Sequence, residues 1–417
     1  MQNLDLNPRF AALGGYPFAR LRSLLDGLSA PGGLAPIDMT IGEPRRPVPP
    51  LVAEVLARQA AGFGRYPPTR GSLDLRQAFS AWLTRRYRLP SGMIDPERHV
   101  MALNGTREGL FQIALACVPP QRNGAQPAVL IPNPFYQCYA GAAAAAGAEP
   151  VFLPATPATG HLPDLDALPA ALLDRTALFY LCSPANPQGV AASAEYWRRL
   201  LALARQHGFV VAADECYAEI YRDRAPPGAL EAAAESGALD NLIVFHSLSK
   251  RSGVPGLRGG ICAGDPAILD HFTILRSYGG APLPLPLDAA AAALWAEEAH
   301  VTETRAHYNA AYDLAARVLG NRYEPAVLRP TGGFFLWLDV GDGEAMAHRL
   351  WTEAGLRVLP GAYLTRADAS GVNVGAPFVR VALVDDLATI ESGLQRLAGL
   401  LSEPGARLPS AQAGGQA

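Results

Sequence analysis

The sequence predicts an α/β protein: a large domain with a mostly parallel sheet flanked by helices, followed by a smaller α+β domain. Three observations carry this expectation. Short, continuously apolar runs recur through the middle of the chain, at residues 128–131, 151–153, 177–181, 209–213, 242–245 and 260–263. Helix-like stretches such as residues 193–207 separate most of them. A proline-rich segment, residues 282–286, then closes the alternation. Apolar runs without alternation suit strands buried on both faces, and intervening helices supply the crossovers that parallel pairing needs.

Taken in order, residues 1–49 are rich in Pro and Gly and are expected to pack onto the smaller domain. Residues 50–286 form the large domain. Within it, residues 142–146 read as an alanine-rich helix, too short and too weakly apolar to span a membrane. Residues 287–401 form the small domain. It opens with a long helical stretch, residues 287–319, and continues with strand-like runs at 332–338, 358–359 and 379–383. Residues 402–417 lack aromatics and are rich in Gly, Pro, Ser and Gln, the composition of a disordered tail. There is no internal repeat.

The 417 residues are 49% hydrophobic and 18% charged, enough for a large core and two domains. A net charge of −3 gives no general polyanion-binding surface, so no nucleic-acid partner is expected. The five cysteines stand singly, with no C-x-x-C and no Cys/His spacing for a metal, and read as reduced thiols of a cytoplasmic protein. Residues 1–10 lack a basic-then-apolar signal pattern, and no run reaches the roughly 18–20 apolar residues of a membrane helix.

Lys250 is the only lysine among 35 Lys plus Arg. Either it escaped a general drift toward arginine, or its chemistry is one that Arg cannot copy. A desolvated lysine can lose its proton and form an imine with an aldehyde; a guanidinium cannot. Its surroundings are S-L-S-K-R (residues 247–251) and then G-V-P-G-L-R (253–258), a loop delivered by the apolar run 242–245. Hydroxyls and arginine are phosphate ligands, and an amine beside a phosphate site suits a phosphorylated aldehyde such as pyridoxal 5'-phosphate (PLP).

In open α/β sheets ligands bind beyond the carboxyl ends of the strands, so the residues just after each apolar run are the candidates for chemistry. Asp214, after the run 209–213, either caps a helix or pairs with a protonated pyridine nitrogen. Tyr217, three residues on, can donate to a ring oxygen. Asn186, in S-P-A-N-P-Q-G (183–189), belongs to a turn-rich loop and can reach the same oxygen. Gly105, Thr106 and Arg107 open a helix whose backbone N–H groups can hold a phosphate, or simply begin it. Tyr136, in P-N-P-F-Y (132–136), either stacks on a pyridine ring or belongs to the core.

Together and in this order, these stretches resemble the class I/II aminotransferases, PLP enzymes of fold type I, over about residues 35–395. The strongest are S-P-A-N-P-Q-G, A-D-E-C-Y and S-L-S-K-R-S-G-V-P-G-L-R. The resemblance implies a seven-stranded sheet in the large domain. It implies that Lys250 carries the cofactor and shuttles the proton, that Asp214 pairs with the pyridine nitrogen, and that Asn186 and Tyr217 hold the ring oxygen. It further implies that Tyr136 stacks on the ring and that Gly105, Thr106, Ser247, Ser249 and Arg258 form the phosphate cup, with Arg107 beside them. Tyr66, in R-Y-P-P-T-R-G (65–71), matches a tyrosine lent to the phosphate of a partner subunit, which implies a homodimer with shared sites. Arg380 matches the arginine that holds the substrate α-carboxylate. Gly42, in I-G-E-P (41–44), and Asn186 would touch the substrate too. The chain departs from the family's usual N-P-T-G at Gln188, and also at the residue after Gly253; neither change removes a catalytic group.

Further stretches, Y-P-F-A-R-L-R, N-G-T-R-E and P-N-P-F-Y-Q among them, resemble the bacterial N-succinyldiaminopimelate aminotransferases. That subgroup exchanges N-succinyl-LL-2,6-diaminopimelate and 2-oxoglutarate for N-succinyl-2-amino-6-oxopimelate and glutamate, in lysine and diaminopimelate biosynthesis. Distal carboxylates need cations, for which Arg20, Arg22, Arg45, Arg46 and Arg276 are candidates. The alternatives are an aminotransferase for aspartate, aromatic or other amino acids, a PLP β-lyase, and a non-catalytic PLP sensor. No basic helix-turn-helix segment precedes residue 35, which disfavours the sensor. A nucleotide-binding α/β protein would need a glycine-rich phosphate motif, and Lys250 fits none.

Overall fold

The computed structural model describes residues 7–402, so most of the expected tail, residues 403–417, lies outside the described residues. In chain order the described strands are β1 (Ile37–Asp38), β2 (Val100–Asn104), β3 (Ala128–Asn133), β4 (Glu149–Pro154), β5 (Thr176–Cys182) and β6 (Val210–Asp214). They continue with β7 (Leu242–Ser247), β8 (Gly259–Gly264), β9 (Phe335–Asp339), β10 (Leu356–Arg357), β11 (Leu359–Pro360) and β12 (Phe378–Ala382).

The chain divides into two compact units. The first comprises residues 1–14, 43–307 and 331–333; the second comprises 15–42, 308–330 and 334–417.

A seven-stranded sheet in the order β2-β8-β7-β6-β5-β3-β4 forms the first unit. Its β4-β3-β5-β6-β7 run is parallel; β8 is antiparallel to both β7 and β2. The reason for the continuous apolar runs is visible in the packing. Val211, Ala213, Val244 and Leu181 enter one buried cluster with Phe79, Trp82 and Trp295. Their neighbours Ala212, Ile243, Phe245 and Tyr180 enter another, on the opposite face. Strands β5, β6 and β7 are therefore covered on both sides, and each fully buried aliphatic side chain contributes about 1.5–3 kcal/mol of transfer free energy. Strand β2 was not among the six apolar runs, yet residues 100–103 are buried.

Helix boundaries follow local chemistry. Ser193 caps the helix Ala194–His207 by accepting from the Tyr196 N–H at 3.1 Å, and Gly208, at φ 70°, ends it in the left-handed region. The expected single helix over residues 287–319 is two helices, Leu285–Ala296 and Ala299–Leu319. The break has a cause outside the segment. Buried Arg251 donates to the carbonyls of Leu294 at 2.7 Å and Glu297 at 3.2 Å, closing the first helix. The Glu297 carboxylate then accepts from the backbone N–H groups of Ala299 and His300, opening the second.

The first unit also runs past the boundary expected at residue 286, as far as His307. Helix Leu285–Ala296 belongs to it because Ala290, Ala291, Leu294 and Trp295 fill its core.

In the second unit β11, β12 and β9 form an antiparallel sheet, and β1 pairs in parallel with β10. Leu336, Leu338, Val379 and Val381 pack there against Ile390 and Leu394 of the helix Leu387–Leu401. Residues 15–42 lie in this unit, and residues 43–49 in the first. The short helix Pro8–Leu13 also belongs to the first unit, where it packs on helix Gln137–Ala145. No helix among the described residues is long and apolar enough to cross a membrane.

Candidate active site

Asp214 ends β6 and is only 4% exposed. Its Oδ2 accepts from the Tyr139 hydroxyl at 2.6 Å, and its Oδ1 from the Cys216 N–H at 3.2 Å. Burial pushes its carboxyl upward; the bonds from Cys216 and Tyr139 and the charge of Lys250 pull it back down. Tyr139 is itself fixed. It stacks on Tyr180 at 4.5 Å, and Tyr180 donates to the Leu110 carbonyl at 2.6 Å. An acid in this setting is a fixed, buried partner for a cation.

Tyr217 is buried beside it, with the Asn186 amide donating to its hydroxyl at 3.5 Å. The Lys250 ammonium is 6.0 Å from the centre of the Tyr217 ring. Lys250 does not sit in a loop, as its glycine-rich flank suggested, but in the short helix Leu248–Arg251. Ser247 starts this turn by accepting from the Ser249 N–H at 3.1 Å. The turn forms because a hydroxyl at the strand end offers the backbone a cap before the glycines begin.

Gly105 has φ 87° and starts the helix Thr106–Cys117, which no side chain caps. An added Cβ there would lie 2.0 Å from Nη2 of Arg258, so only glycine lets this guanidinium stand over the helix start. Across the sheet, a Cβ on Gly260 would lie 2.7 Å from the Thr106 nitrogen. Cys216 adds a thiol bond of 3.3 Å to the Thr106 hydroxyl. Backbone N–H groups at a helix start, a hydroxyl and an arginine thus converge where an anion would be held. The Arg107 guanidinium, expected with the cofactor, donates instead to the Tyr136 hydroxyl, and Tyr136 meets Tyr139 edge-on at 5.6 Å.

Within the second unit, buried Arg380 donates to the Thr40 carbonyl at 2.6 Å and lies 4.3 Å over the Phe335 ring. Gly42 is packed against the same ring: a Cβ would come within 2.3 Å of it. The two groups expected at the substrate carboxylate are therefore neighbours in one unit. Tyr66 lies on the surface of the first unit with its side chain fully exposed.

The arginine candidates separate. Arg276 is buried and held by Glu108 and Gln112, each at 2.6 Å, so it is a structural cation and not one for the mouth of a site. Arg20 is engaged by Glu344 at 3.6 Å and by the Tyr363 ring at 3.9 Å. Arg22 and Arg45 are exposed, and Arg46 is half-buried.

Two residues not singled out in the sequence, Tyr139 and Cys216, bond the candidates Asp214 and Thr106. Tyr139 stands one helical turn after Tyr136, a spacing that puts both on one face.

A family model described as aminotransferase class I and II matches residues 35–397. The chain belongs to this family. A crystal structure of an aminotransferase from Neisseria meningitidis Z2491 superposes with a TM-score of 0.89 at 38% identity, covering 95% of this chain and 100% of that one. The 4-dedimethylamino-4-oxo-anhydrotetracycline transaminase OxyQ of Streptomyces rimosus is 33% identical over 88% of this chain and 94% of its own length. An LL-diaminopimelate aminotransferase of Desulforudis audaxviator is 31% identical over 94% of this chain and 97% of its own.

The fold is accordingly fold type I, and the aminotransferase is PLP-dependent, acting on amino acids and 2-oxo acids. The residues present fit that cofactor. A buried carboxylate faces the only lysine's charge, and a glycine cradle with an arginine above it opens at a helix start.

Proposed function

We propose that this aminotransferase takes N-succinyl-LL-2,6-diaminopimelate as amino donor and 2-oxoglutarate as acceptor, releasing N-succinyl-2-amino-6-oxopimelate and glutamate. The observation that carries the reading is whole-chain similarity to aminotransferases of diaminopimelate, at 31% over 94% of the chain, joined to the N-terminal Y-P-F-A-R-L-R and I-G-E-P stretches. A second reading, unsuccinylated LL-diaminopimelate as donor, is favoured by the name of that same relative.

Bound PLP supplies an aldehyde carbon and a protonated pyridine ring that takes up the electron pair released at the substrate Cα. Lys250 would hold it through its amine and would serve as the base at the substrate Cα proton. Asp214 would pair with the proton on the pyridine nitrogen; burial raises its carboxyl, and the Cys216 and Tyr139 donors and the Lys250 charge act against that rise. Asn186 and Tyr217 orient the ring oxygen. Gly105 and Thr106 N–H groups, Ser247, Ser249 and Arg258 bind the phosphate, and Tyr136, tethered by Arg107, covers the ring. Arg380 takes the α-carboxylate with a guanidinium already fixed by Thr40. We propose a homodimer in which the exposed Tyr66 reaches the partner's phosphate.

Purified protein loaded with PLP, given 2-oxoglutarate and each donor in turn, tests the substrate reading through the glutamate formed. Turnover with the succinylated donor at a kcat/KM at least tenfold above that with aspartate and aromatic amino acids is expected. A preference for aspartate or an aromatic donor would overturn it.

A further inference from the structure

Lys250 leaves strand β7 on a single helical turn, Leu248–Arg251. One turn makes too few internal hydrogen bonds to be stable by itself. What holds it comes from the two residues after the lysine, Arg251 and Ser252, each 2% exposed.

Arg251 donates to the carbonyls of Leu294 and Glu297, and its Nη2 also meets the Glu298 carboxylate at 2.7 Å. The guanidinium lies 4.9 Å from the centre of the Trp295 ring and 5.6 Å from that of Trp82. Ser252 closes the turn, its N–H donating to the Leu248 carbonyl at 3.0 Å. Its hydroxyl lies 2.8 Å from Nε2 of His300, whose Nδ1 meets the Glu297 carboxylate. Both residues are therefore pinned to one place, the break between helices Leu285–Ala296 and Ala299–Leu319.

These bonds have a consistent polarity. A carboxylate only accepts, so Nδ1 of His300 carries the proton, and Nε2 of the neutral ring accepts from the Ser252 hydroxyl. The Ser252 oxygen in turn accepts from Nη1 of Arg251 at 3.4 Å. Burial lowers the His300 pKa and the Arg251 charge adds to this, against the pull of Glu297 and Glu298. A protonated ring would aim a second donor at the Ser252 oxygen and displace the hydroxyl's own proton. The order Ser–His–acid is that of a hydrolytic triad. Here the serine is closed to any substrate by its burial, and its hydroxyl serves the turn instead.

We propose that Ser252, His300 and Glu297 form a positioning relay that fixes the turn carrying Lys250. The proposal rests on the reading of Lys250 as the residue that holds PLP and serves as base at the substrate Cα. A base must stand within hydrogen-bond reach of the proton it takes, and a misplacement of about 1 Å can cost ~10²-fold in rate.

The test uses the PLP-loaded enzyme and the variants Ser252→Ala and His300→Phe. Circular dichroism checks that each is folded, and borohydride reduction with peptide mapping checks that Lys250 carries the cofactor. The pH at which the absorbance of bound PLP changes is then measured, because it reports the setting of the link to Lys250. In both variants this midpoint is expected to move by about half a pH unit or more. In both, kcat is expected to fall roughly tenfold with KM for the amino donor nearly unchanged, as when a group is misplaced only for the transition state. An unmoved midpoint, or an unchanged kcat, in a folded variant overturns the proposal; should one variant not fold, the other decides. If reduction of the unaltered enzyme leaves Lys250 unlabelled, the reading of Lys250 has failed and the relay falls with it. A labelled Lys250 with unmoved readouts rejects the relay alone.

Discussion

Asp214 depends on neighbours as much as on its own carboxyl. Burial raises its pKa, and the Tyr139 hydroxyl is one of the groups that lower it again. Tyr139→Phe removes that bond and keeps the stacking on Tyr180, so the carboxyl rises further. Because the working form is the anion, the acid limb of the kcat/KM profile should move to higher pH. At a fixed pH on that acid limb activity should drop about tenfold, on the scale of one hydrogen bond to a charged group. An unmoved acid limb in the variant would show that Tyr139 packs but does not tune. Asp214, Asn186, Tyr217 and Lys250 could be named as candidates from the sequence because each comes just after an apolar run, where open α/β sheets bind ligands. Tyr139 was not, since its partner is 75 residues away and the bond exists only once the strand and helix have packed.

The end of strand β6, Asp214, and the residue just after it, Glu215, send two acids to opposite faces of the sheet. While Asp214 meets Tyr139, Glu215 meets Tyr87 and the Ala229 N–H on the other side. Burial raises the Glu215 carboxyl from its ordinary 4.5 to about 7, against the pull of the Tyr87 and Ala229 bonds. The folded state thus binds this proton more tightly than the unfolded chain does. Its stabilising contribution is fully present below about pH 4.5 and is lost as pH rises through about 7. Across that window the swing is on the order of a few kcal/mol. Glu215→Gln keeps one oxygen to accept from the Ala229 N–H, turns an amide N–H toward the Tyr87 oxygen, and removes the proton equilibrium. Calorimetry should therefore find a smaller fall in Tm between pH 5 and pH 8 in the variant than in the parent; equal falls would mean that Glu215 does not titrate there. At this scale the sequence revealed the five inner strands of the sheet and the edge strand β4 by their apolar runs. It hid β2, whose strand holds no β-branched run beyond Val100, and it hid the break at Glu297, which Arg251 imposes from 43 residues before Leu294.

Of the proposed site residues, Lys250, Asp214 and Arg258 belong to the first unit, and Arg380 and Gly42 to the second. The division itself was only partly readable, because helix Ala299–Leu319 runs unbroken across it and carries no mark at His307. Tyr66, fully exposed in the single chain, belongs to the scale of the assembly. If it serves a partner, mixing inactive Lys250→Ala with impaired Tyr66→Phe subunits yields heterodimers with one site free of both defects. Activity should then exceed that of the Tyr66→Phe parent, whereas heterodimers no more active than that parent would confine Tyr66 to its own subunit. The central claim, that the chain's only lysine holds the cofactor, has a direct measurement. PLP-loaded protein is reduced with borohydride, its intact mass is determined, and its peptides are mapped. One pyridoxyl group per chain, carried on Lys250, is the predicted result; a chain without the label, or with it only elsewhere, would contradict the claim.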